Sequence, residues 1–217
     1  RRRTAVRGVR TASFWPDDGR RRPRWRRPPQ LARRAPPGAA AAAADLRRKI
    51  DENEGVSWHL GSRVVARAWV DAEYKRRLFE DGIAATEELG IDMSTANQLI
   101  AVENTTDVHH VVVCTLCSCY PRQLLGQPPD WYKSTNYRTR VVVDPRRVLS
   151  EMGLELPEST EVRVVYSTAE TRYLVLPKRP EGTEGWSEEK LVGLVTRNSM
   201  VGCSNALNPL QKEMMAD

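Results

Sequence analysis

The stretch VVVCTLCSCYP, residues 111–121, joins an apolar run to three closely spaced cysteines. Apolar runs of this kind are typical of a buried strand. Cys114, Cys117 and Cys119 follow the run within six residues, whereas the only other cysteine, Cys203, is far away in the sequence. Thiols so close together cannot link distant parts of a fold by disulfides, but they can converge on one ion. The sequence therefore predicts a metal-binding turn at the end of a strand.

Spacing alone leaves several kinds of site open. Structural zinc would need a fourth ligand from His109, His110 or Cys203. An iron–sulfur cluster would also need a fourth ligand, and a Cys-x-x-Cys redox pair would leave Cys119 unexplained. In a further arrangement, two thiolates and two deprotonated peptide nitrogens form a plane, and the third sulfur lies on its axis. Donors this strong favour a low-spin trivalent cobalt or iron ion.

Charge is distributed unevenly along the chain. Residues 1–44 contain 13 arginines and two aspartates, a net charge of +11. Because the whole chain carries +6, residues 45–217 carry −5. The first segment is rich in Arg, Pro and Ala and lacks apolar periodicity, so we expect a disordered extension. The alternative is an arm that binds a nucleic acid or another anionic surface.

The rest of the chain predicts a helical segment followed by a mixed domain. Residues 45–95 form the predicted helical arm, in which Asp71 begins a helix that ends at Gly90. Residues 96–217 form the predicted core domain, of fold class α+β with antiparallel or mixed strands. Its predicted strands are 98–103, 109–113, 162–166 and 172–176, and its predicted helices are 144–152, which begins at an Asp-Pro pair, and 187–200.

No stretch of the sequence approaches the roughly 20 apolar residues of a membrane-spanning helix. The N-terminal segment also lacks the apolar core of a signal peptide. We therefore expect a soluble, cytoplasmic protein with no membrane partner.

The motif VCTLCSCYP, residues 113–121, resembles the metal-binding signature of nitrile hydratase alpha subunits and of the related thiocyanate hydrolase gamma subunits. The resemblance extends from about Gly61 to Gly202. It includes RVVARAW at 63–69, PPDWYK at 128–133 and VLPKRP at 175–180. Nitrile hydratases of the three-subunit toyocamycin type are also similar.

This resemblance implies a ligand set and a metal. The sulfurs of Cys114, Cys117 and Cys119 and the peptide nitrogens of Ser118 and Cys119 would bind the ion. Cys117 would be oxidised to a sulfinate and Cys119, the expected catalytic residue, to a sulfenate. Thr115 is the version associated with cobalt, so Co(III) is expected ahead of Fe(III). The resemblance also implies a layered α-β-β-α core.

The implied activity is that of a lyase, the hydration of a small nitrile to its amide. It would require a beta-type subunit, as one or two chains, around which the helical arm wraps. Arg122 stands where many nitrile hydratases carry a pocket tryptophan, and Gln98 is a second candidate pocket residue. Because an arginine attracts anions, hydrolysis of thiocyanate to carbonyl sulfide and ammonia is the alternative.

A different class of function is a non-catalytic metal or redox module with an arginine-rich arm, although nucleic acid is not the expected partner. The remaining candidates receive simpler roles. His109 and His110 are expected to form hydrogen bonds or lie at the surface, Trp131 and Tyr132 to pack, and Cys203 to be an ordinary thiol.

Overall fold

The computed structural model describes residues 57–94, 96–114 and 119–214. The predicted extension 1–44 and the first part of the helical arm lie outside the described residues. The helices and strands, numbered in chain order, are α1 (His59–Val70), α2 (Ala72–Glu80), α3 (Gly82–Glu87), β1 (Gln98–Glu103), β2 (Val108–Cys114), α4 (Arg122–Leu125), α5 (Asp130–Lys133), α6 (Thr135–Val143), α7 (Pro145–Glu151), β3 (Glu161–Ser167), β4 (Thr171–Leu176), α8 (Glu188–Val192) and α9 (Pro209–Met214), with a 3₁₀ turn at Ser199–Val201.

Two aspartates begin α2 and α3, the second and third helices before β1. The Asp71 carboxylate accepts a hydrogen bond from the Tyr74 amide, which confirms the predicted start of α2. The prediction of one helix continuing to Gly90 is wrong, because the chain breaks at Asp81. That carboxylate accepts hydrogen bonds from the amides of Ile83 and Ala84 and begins a new helix, α3. Gly90 ends the segment with a φ of 73°, as predicted.

The four predicted strands are all present, but the expected antiparallel or mixed pairing is wrong. β1 pairs with β4 and β2 pairs with β3, and both pairs are parallel. Strands that are neighbours in sequence are joined by short connections and belong to different sheets. In these connections the Thr105 backbone amide donates to the Val108 carbonyl, and the Thr168 backbone amide donates to the Thr171 carbonyl. Apolar alternation defines the face that a strand buries but not its partner, so the sequence pattern did not distinguish these arrangements.

The described part of the connection from β2 to β3, residues 119–160, contains four helices, of which the sequence predicts only α7. Asp144 accepts a hydrogen bond from the Arg147 amide and Pro145 occupies the first turn, as expected for this Asp-Pro start. α6 begins at Ser134, whose hydroxyl accepts from the Tyr137 amide. A parallel strand pair requires a long connection, and these helices provide it.

The last predicted helix is much shorter than expected. It ends at Val192 instead of continuing to about Met200. Thr196 and Ser199 exchange hydrogen bonds between their side chains and backbone amides. Such local bonds compete with helical ones, so the chain continues into a 3₁₀ turn.

α1 packs within the hydrophobic core of this chain. Val64 and Val65 are fully buried in a cluster that also contains Val112 of β2 and Leu174 of β4. The predicted contact of the helical arm with a partner subunit stays a prediction, as does the full α-β-β-α layering. Within the described part of the chain, no helix combines the length and apolar character needed to cross a membrane.

Candidate metal centre

The cysteine turn, residues 114–119, begins at the carboxyl end of a parallel strand pair. Cys114 is the last residue of β2 and is paired in register with Ser167, the last residue of β3. Loops that follow the carboxyl ends of parallel strands are common positions for ligand sites. Pairing with β3 therefore fixes the position of the Cys114 backbone, which carries the first sulfur of the motif. Residues 115–118, which include the predicted ligands Cys117 and Ser118, lie outside the described residues.

The two described cysteines of the turn meet in the interior. Cys114 is 3% exposed and Cys119 is fully buried. The Cys119 peptide N–H donates a hydrogen bond to the Cys114 sulfur across 3.3 Å. A sulfur and a nitrogen that occupy adjacent positions around one ion lie about 3 Å apart, for bonds of about 2.3 and 2.0 Å. The separation here is that of an N–H···S hydrogen bond and is also close to this ligand spacing.

Among the described residues, no group of three His, Cys, Asp or Glu side chains could hold a metal. This is expected for the proposed ligand set, since one of its three cysteines lies outside the described part and two of its donors are peptide nitrogens. The complete set therefore stays a prediction.

His109 is engaged with protein groups on both sides of its ring. It is buried, with Nε2 2.8 Å from the Gly202 carbonyl oxygen and Nδ1 3.1 Å from the Asn104 amide nitrogen. Because a carbonyl only accepts, Nε2 carries the proton and Nδ1 accepts from Asn104. Burial lowers the pKa of His109, so the ring is neutral. The predicted hydrogen-bonding role is confirmed.

Cys203 also contacts another protein group, the Tyr137 hydroxyl. Its sulfur is buried 3.3 Å from the Tyr137 hydroxyl, which also lies 2.8 Å from the Val112 carbonyl oxygen. Burial raises the pKa of Cys203 to about 12, so it is a protonated thiol at neutral pH. Since both His109 and Cys203 have other partners, neither is available in this arrangement as the fourth ligand that a zinc site would need.

Tyr120, the residue after Cys119, belongs to an aromatic cluster. Tyr120 and Tyr132 lie edge to face with ring centroids 5.0 Å apart, and Trp131 contacts Tyr137 in the same way at 5.0 Å. The packing role predicted for Trp131 and Tyr132 is therefore confirmed. The hydroxyls of Tyr120 and Tyr132 are buried and have no hydrogen-bond partner among the described residues. A buried hydroxyl without a hydrogen-bond partner lowers the stability of the fold by about 1–3 kcal/mol. No pattern in the sequence indicates that these two hydroxyls have no partner.

The two candidate pocket residues lie on the surface of this chain. Gln98 is exposed at the start of β1, where its amide oxygen accepts a hydrogen bond from the Thr171 hydroxyl at 3.0 Å. Arg122 is exposed at the start of α4, three residues after Cys119. Their predicted contact with substrate stays a prediction.

The chain resembles known proteins along most of its length. Residues 38–204 match the family model described as nitrile hydratase, alpha chain. The chain is 57% identical over 150 residues to the alpha subunit of the high-molecular weight cobalt-containing nitrile hydratase of Rhodococcus rhodochrous, covering 69% of this chain and 74% of that one. It is also 47% identical over 152 residues to the thiocyanate hydrolase gamma subunit of Thiobacillus thioparus, covering 65% and 63% of the two chains.

Solved structures agree with this similarity. A recombinant thiocyanate hydrolase with partially modified cobalt centres matches with a TM-score of 0.73 and 42% identity, covering 78% of this chain and 83% of that one. An iron-type nitrile hydratase from Comamonas testosteroni Ni1 with two histidine-to-alanine substitutions matches with a TM-score of 0.69 and 39% identity, covering 78% and 89%. With its cysteine turn at the end of β2, the chain therefore belongs to the nitrile hydratase alpha family, whose enzymes hydrate nitriles to amides.

Proposed function

We propose that this chain is the metal-bearing subunit of a nitrile hydratase and works at a low-spin Co(III) centre. The observation that carries the proposal is the 3.3 Å approach of the Cys119 peptide nitrogen to the Cys114 sulfur, in two residues that are both buried. Cys117 supplies the third sulfur and the Ser118 peptide the second nitrogen. This set of five donors leaves one position open for water or substrate.

The described part of the chain holds Cys114 and Cys119 in place without an ion. Cys114 is fixed by the β2–β3 ladder, and Cys119 is fixed by the packing of the following Tyr120 against Tyr132. Rigid placement of ligands lowers the cost of organising a site. The buried surroundings also limit the access of bulk water to the sulfurs.

The reaction adds water across the nitrile triple bond. The carbon gains the oxygen atom, and the nitrogen gains both hydrogens. A bound trivalent ion would supply Lewis acidity that makes the nitrile carbon more electrophilic. Cys119, if oxidised to a sulfenate, would either attack that carbon through its oxygen, giving an adduct that water hydrolyses to release the amide and restore the sulfenate, or accept a proton from the attacking water.

Cobalt is preferred to iron for two reasons. Thr115 is the residue found in the cobalt version of the signature, and the relative from R. rhodochrous is named as cobalt-containing. The iron-type structural neighbour keeps Fe(III) as the second choice.

A beta-type subunit, as one or two chains, completes the site. The sulfinate and sulfenate oxygens are acceptors that require donors, and arginines of the partner would supply them. We propose that the complex works in the cytoplasm, where thiols are kept out of structural disulfides.

The second candidate is thiocyanate hydrolysis. Arg122 is exposed close in sequence to Cys119, and a guanidinium near the open position would favour an anion. The similarity to a thiocyanate hydrolase gamma subunit supports the same alternative.

The substrate class can be tested on the complex purified with its native partner through an affinity tag on this chain. We expect turnover of nitriles to amides, followed by chromatography, and at most weak release of ammonia from thiocyanate. Turnover of thiocyanate with no nitrile hydrated would replace nitrile hydration with the second candidate.

The ligand set can be tested with single Cys→Ser variants of the same complex. Cys114→Ser, Cys117→Ser and Cys119→Ser should each lose most of the cobalt measured by elemental analysis, and activity should fall at least about 100-fold. Cys203→Ser is the matched control and should keep both cobalt and activity. Equal cobalt in all four variants, or a stoichiometric zinc ion in the wild type, would contradict the proposed centre.

A further inference from the structure

Tyr137 of α6 contacts the strand that leads into the cysteine turn. The residue is 5% exposed, and its hydroxyl oxygen lies 2.8 Å from the Val112 carbonyl oxygen. Because a carbonyl only accepts, the hydroxyl donates its proton to Val112, and its oxygen can accept from the Cys203 thiol 3.3 Å away. Val112 is two residues before Cys114 in β2. A side chain of α6 is therefore hydrogen-bonded to the backbone just before the first cysteine.

The hydrogen bond from Tyr137 contributes to holding β2 in place. Among the described residues β2 pairs with a single strand, β3. The backbone groups on its other edge are buried and need partners of another kind. The Asn104 amide oxygen accepts from the His110 amide at 2.7 Å, and the Tyr137 hydroxyl donates to the Val112 carbonyl. Side chains thus replace a neighbouring strand along β2.

The ring of Tyr137 reaches the other end of the turn through one intermediate ring. Its centroid lies 5.8 Å from that of Tyr132. Tyr132 in turn lies edge to face with Tyr120, with centroids 5.0 Å apart, and Tyr120 directly follows Cys119. Through its hydroxyl and its ring, Tyr137 therefore connects the segment before Cys114 with the segment after Cys119.

These two connections act on the spacing of two donor atoms. The Cys119 peptide nitrogen lies 3.3 Å from the Cys114 sulfur. Both atoms are ligands in the proposed function, on which this inference rests. The groups of such a site must be held within about 0.5 Å of their productive positions by the surrounding protein. Contacts that fix the two ends of the turn relative to each other therefore bear directly on metal binding.

We propose that Tyr137 is a positioning residue of the metal centre, which holds the two ends of the cysteine turn at the spacing that the ion requires. Its hydroxyl fixes β2 before Cys114, and its ring supports the aromatic packing that follows Cys119. Loss of the hydroxyl alone keeps the ring in place but allows β2 to shift relative to Cys119.

Tyr137→Phe tests this role in the complex with the partner subunit. The variant leaves the buried Val112 carbonyl without its donor, so the metal-free complex should unfold at a lower temperature than the wild type. Cobalt should also be held less firmly. During incubation with a chelator, elemental analysis should show cobalt loss about 10-fold faster than in the wild type. The sulfur-to-cobalt charge-transfer absorption should shift, because the sulfur occupies a different position.

Tyr74→Phe is the matched control. Tyr74 is 1% exposed, and its hydroxyl donates to the Ala85 carbonyl at 3.0 Å, between α2 and α3. The substitution deletes the same kind of buried hydrogen bond as Tyr137→Phe, so the loss of heat stability should be similar. The rate of cobalt loss and the absorption spectrum should stay those of the wild type.

A second measurement uses the wild-type complex and needs no substitution. Removal of cobalt should accelerate amide hydrogen exchange in peptide 135–143, which covers α6, more than in peptide 72–80, which covers α2. The reason is that coupling between the ion and Tyr137 acts in both directions. This measurement decides the question if Tyr137→Phe does not fold.

Three results would overturn the role of Tyr137 while leaving the proposed function intact. The first is wild-type cobalt retention and absorption in Tyr137→Phe. The second is equally fast cobalt loss in Tyr74→Phe, which would reveal a general effect of stability. The third is equal acceleration of exchange in both peptides when cobalt is removed. A wild-type complex that binds no cobalt would instead overturn the proposed function together with this inference.

Discussion

At the scale of single residues, His109 joins two segments of the chain that are distant in sequence. Its ring connects Asn104, in the corner between β1 and β2, with Gly202, which follows the 3₁₀ turn. The Asn104 amide oxygen also accepts from the His110 backbone at 2.7 Å, which fixes the orientation of the amide. The neutral imidazole is the form that fits both partners.

This geometry predicts a loss of stability in mild acid. Burial lowers the pKa of His109 below its usual value near 6.5. The unfolded chain therefore binds a proton at a higher pH than the folded chain does. The contribution of neutral His109 to the free energy of unfolding is complete above about pH 6.5. It is lost as the pH falls from there through the lower pKa of the folded state, at up to about 1.4 kcal/mol per pH unit.

His109→Gln isolates this contribution, because the glutamine amide can both donate and accept hydrogen bonds but does not titrate. Urea denaturation between pH 7.5 and 5 should show a weaker pH dependence for the variant than for the wild type. His110, whose pKa burial also lowers, is present in both proteins, so its own titration contributes to both profiles. Identical pH profiles would contradict the assignment of a neutral His109.

At the scale of secondary-structure elements, the start of α3 packs directly on β1. Gly82 is buried, and a methyl group at this position would overlap the carbonyl oxygen of Leu99. The obstacle is backbone in a paired strand, which cannot move without disturbing the β1–β4 ladder. The short distance between this helix and the strand thus depends on the absence of a side chain.

We expect Gly82→Ala to lower the free energy of unfolding by about 1–3 kcal/mol, the usual range for overpacking a core. Gly193→Ala is the control, since a methyl group there meets chiefly the flexible end of Lys212. It should change the free energy by about 0.5 kcal/mol or less. Equal effects of the two substitutions in urea denaturation would show that α3 and β1 are not in close contact.

At the scale of the whole molecule, the segment before β1 belongs to the same core as the strands. Val65 of α1 and Leu78 of α2 are fully buried in the cluster that includes Val111 and Leu174. The Trp69 indole also donates to the Pro177 carbonyl at 2.9 Å, and Arg179 donates to the Trp69 carbonyl at 3.0 Å. These bonds connect α1 to the chain that follows β4.

Hydrogen exchange should reflect this common core. We expect the amides of α1 and of β4 to exchange at similar rates in the purified chain, because both require the core to open. Mass spectrometry of peptides covering 59–70 and 171–176, with and without the partner subunit, measures this directly. If peptide 59–70 exchanged fast while peptide 171–176 exchanged slowly, and exchange in 59–70 became slow only when the partner subunit was added, the helical arm would fold on the partner instead.

The sequence by itself determined the features that depend on neighbouring residues. The Asp71 and Asp144 helix starts, the four strands and the cysteine spacing are all local chemistry, and the family follows from motifs that are continuous in the chain. Only the tertiary structure decided the parallel pairing, the break at Asp81, the partners of His109 and the unpaired hydroxyl of Tyr132. Each of these depends on which residues, distant in sequence, come into contact in the core. Such contacts cannot be inferred from the pattern of any single segment of the chain.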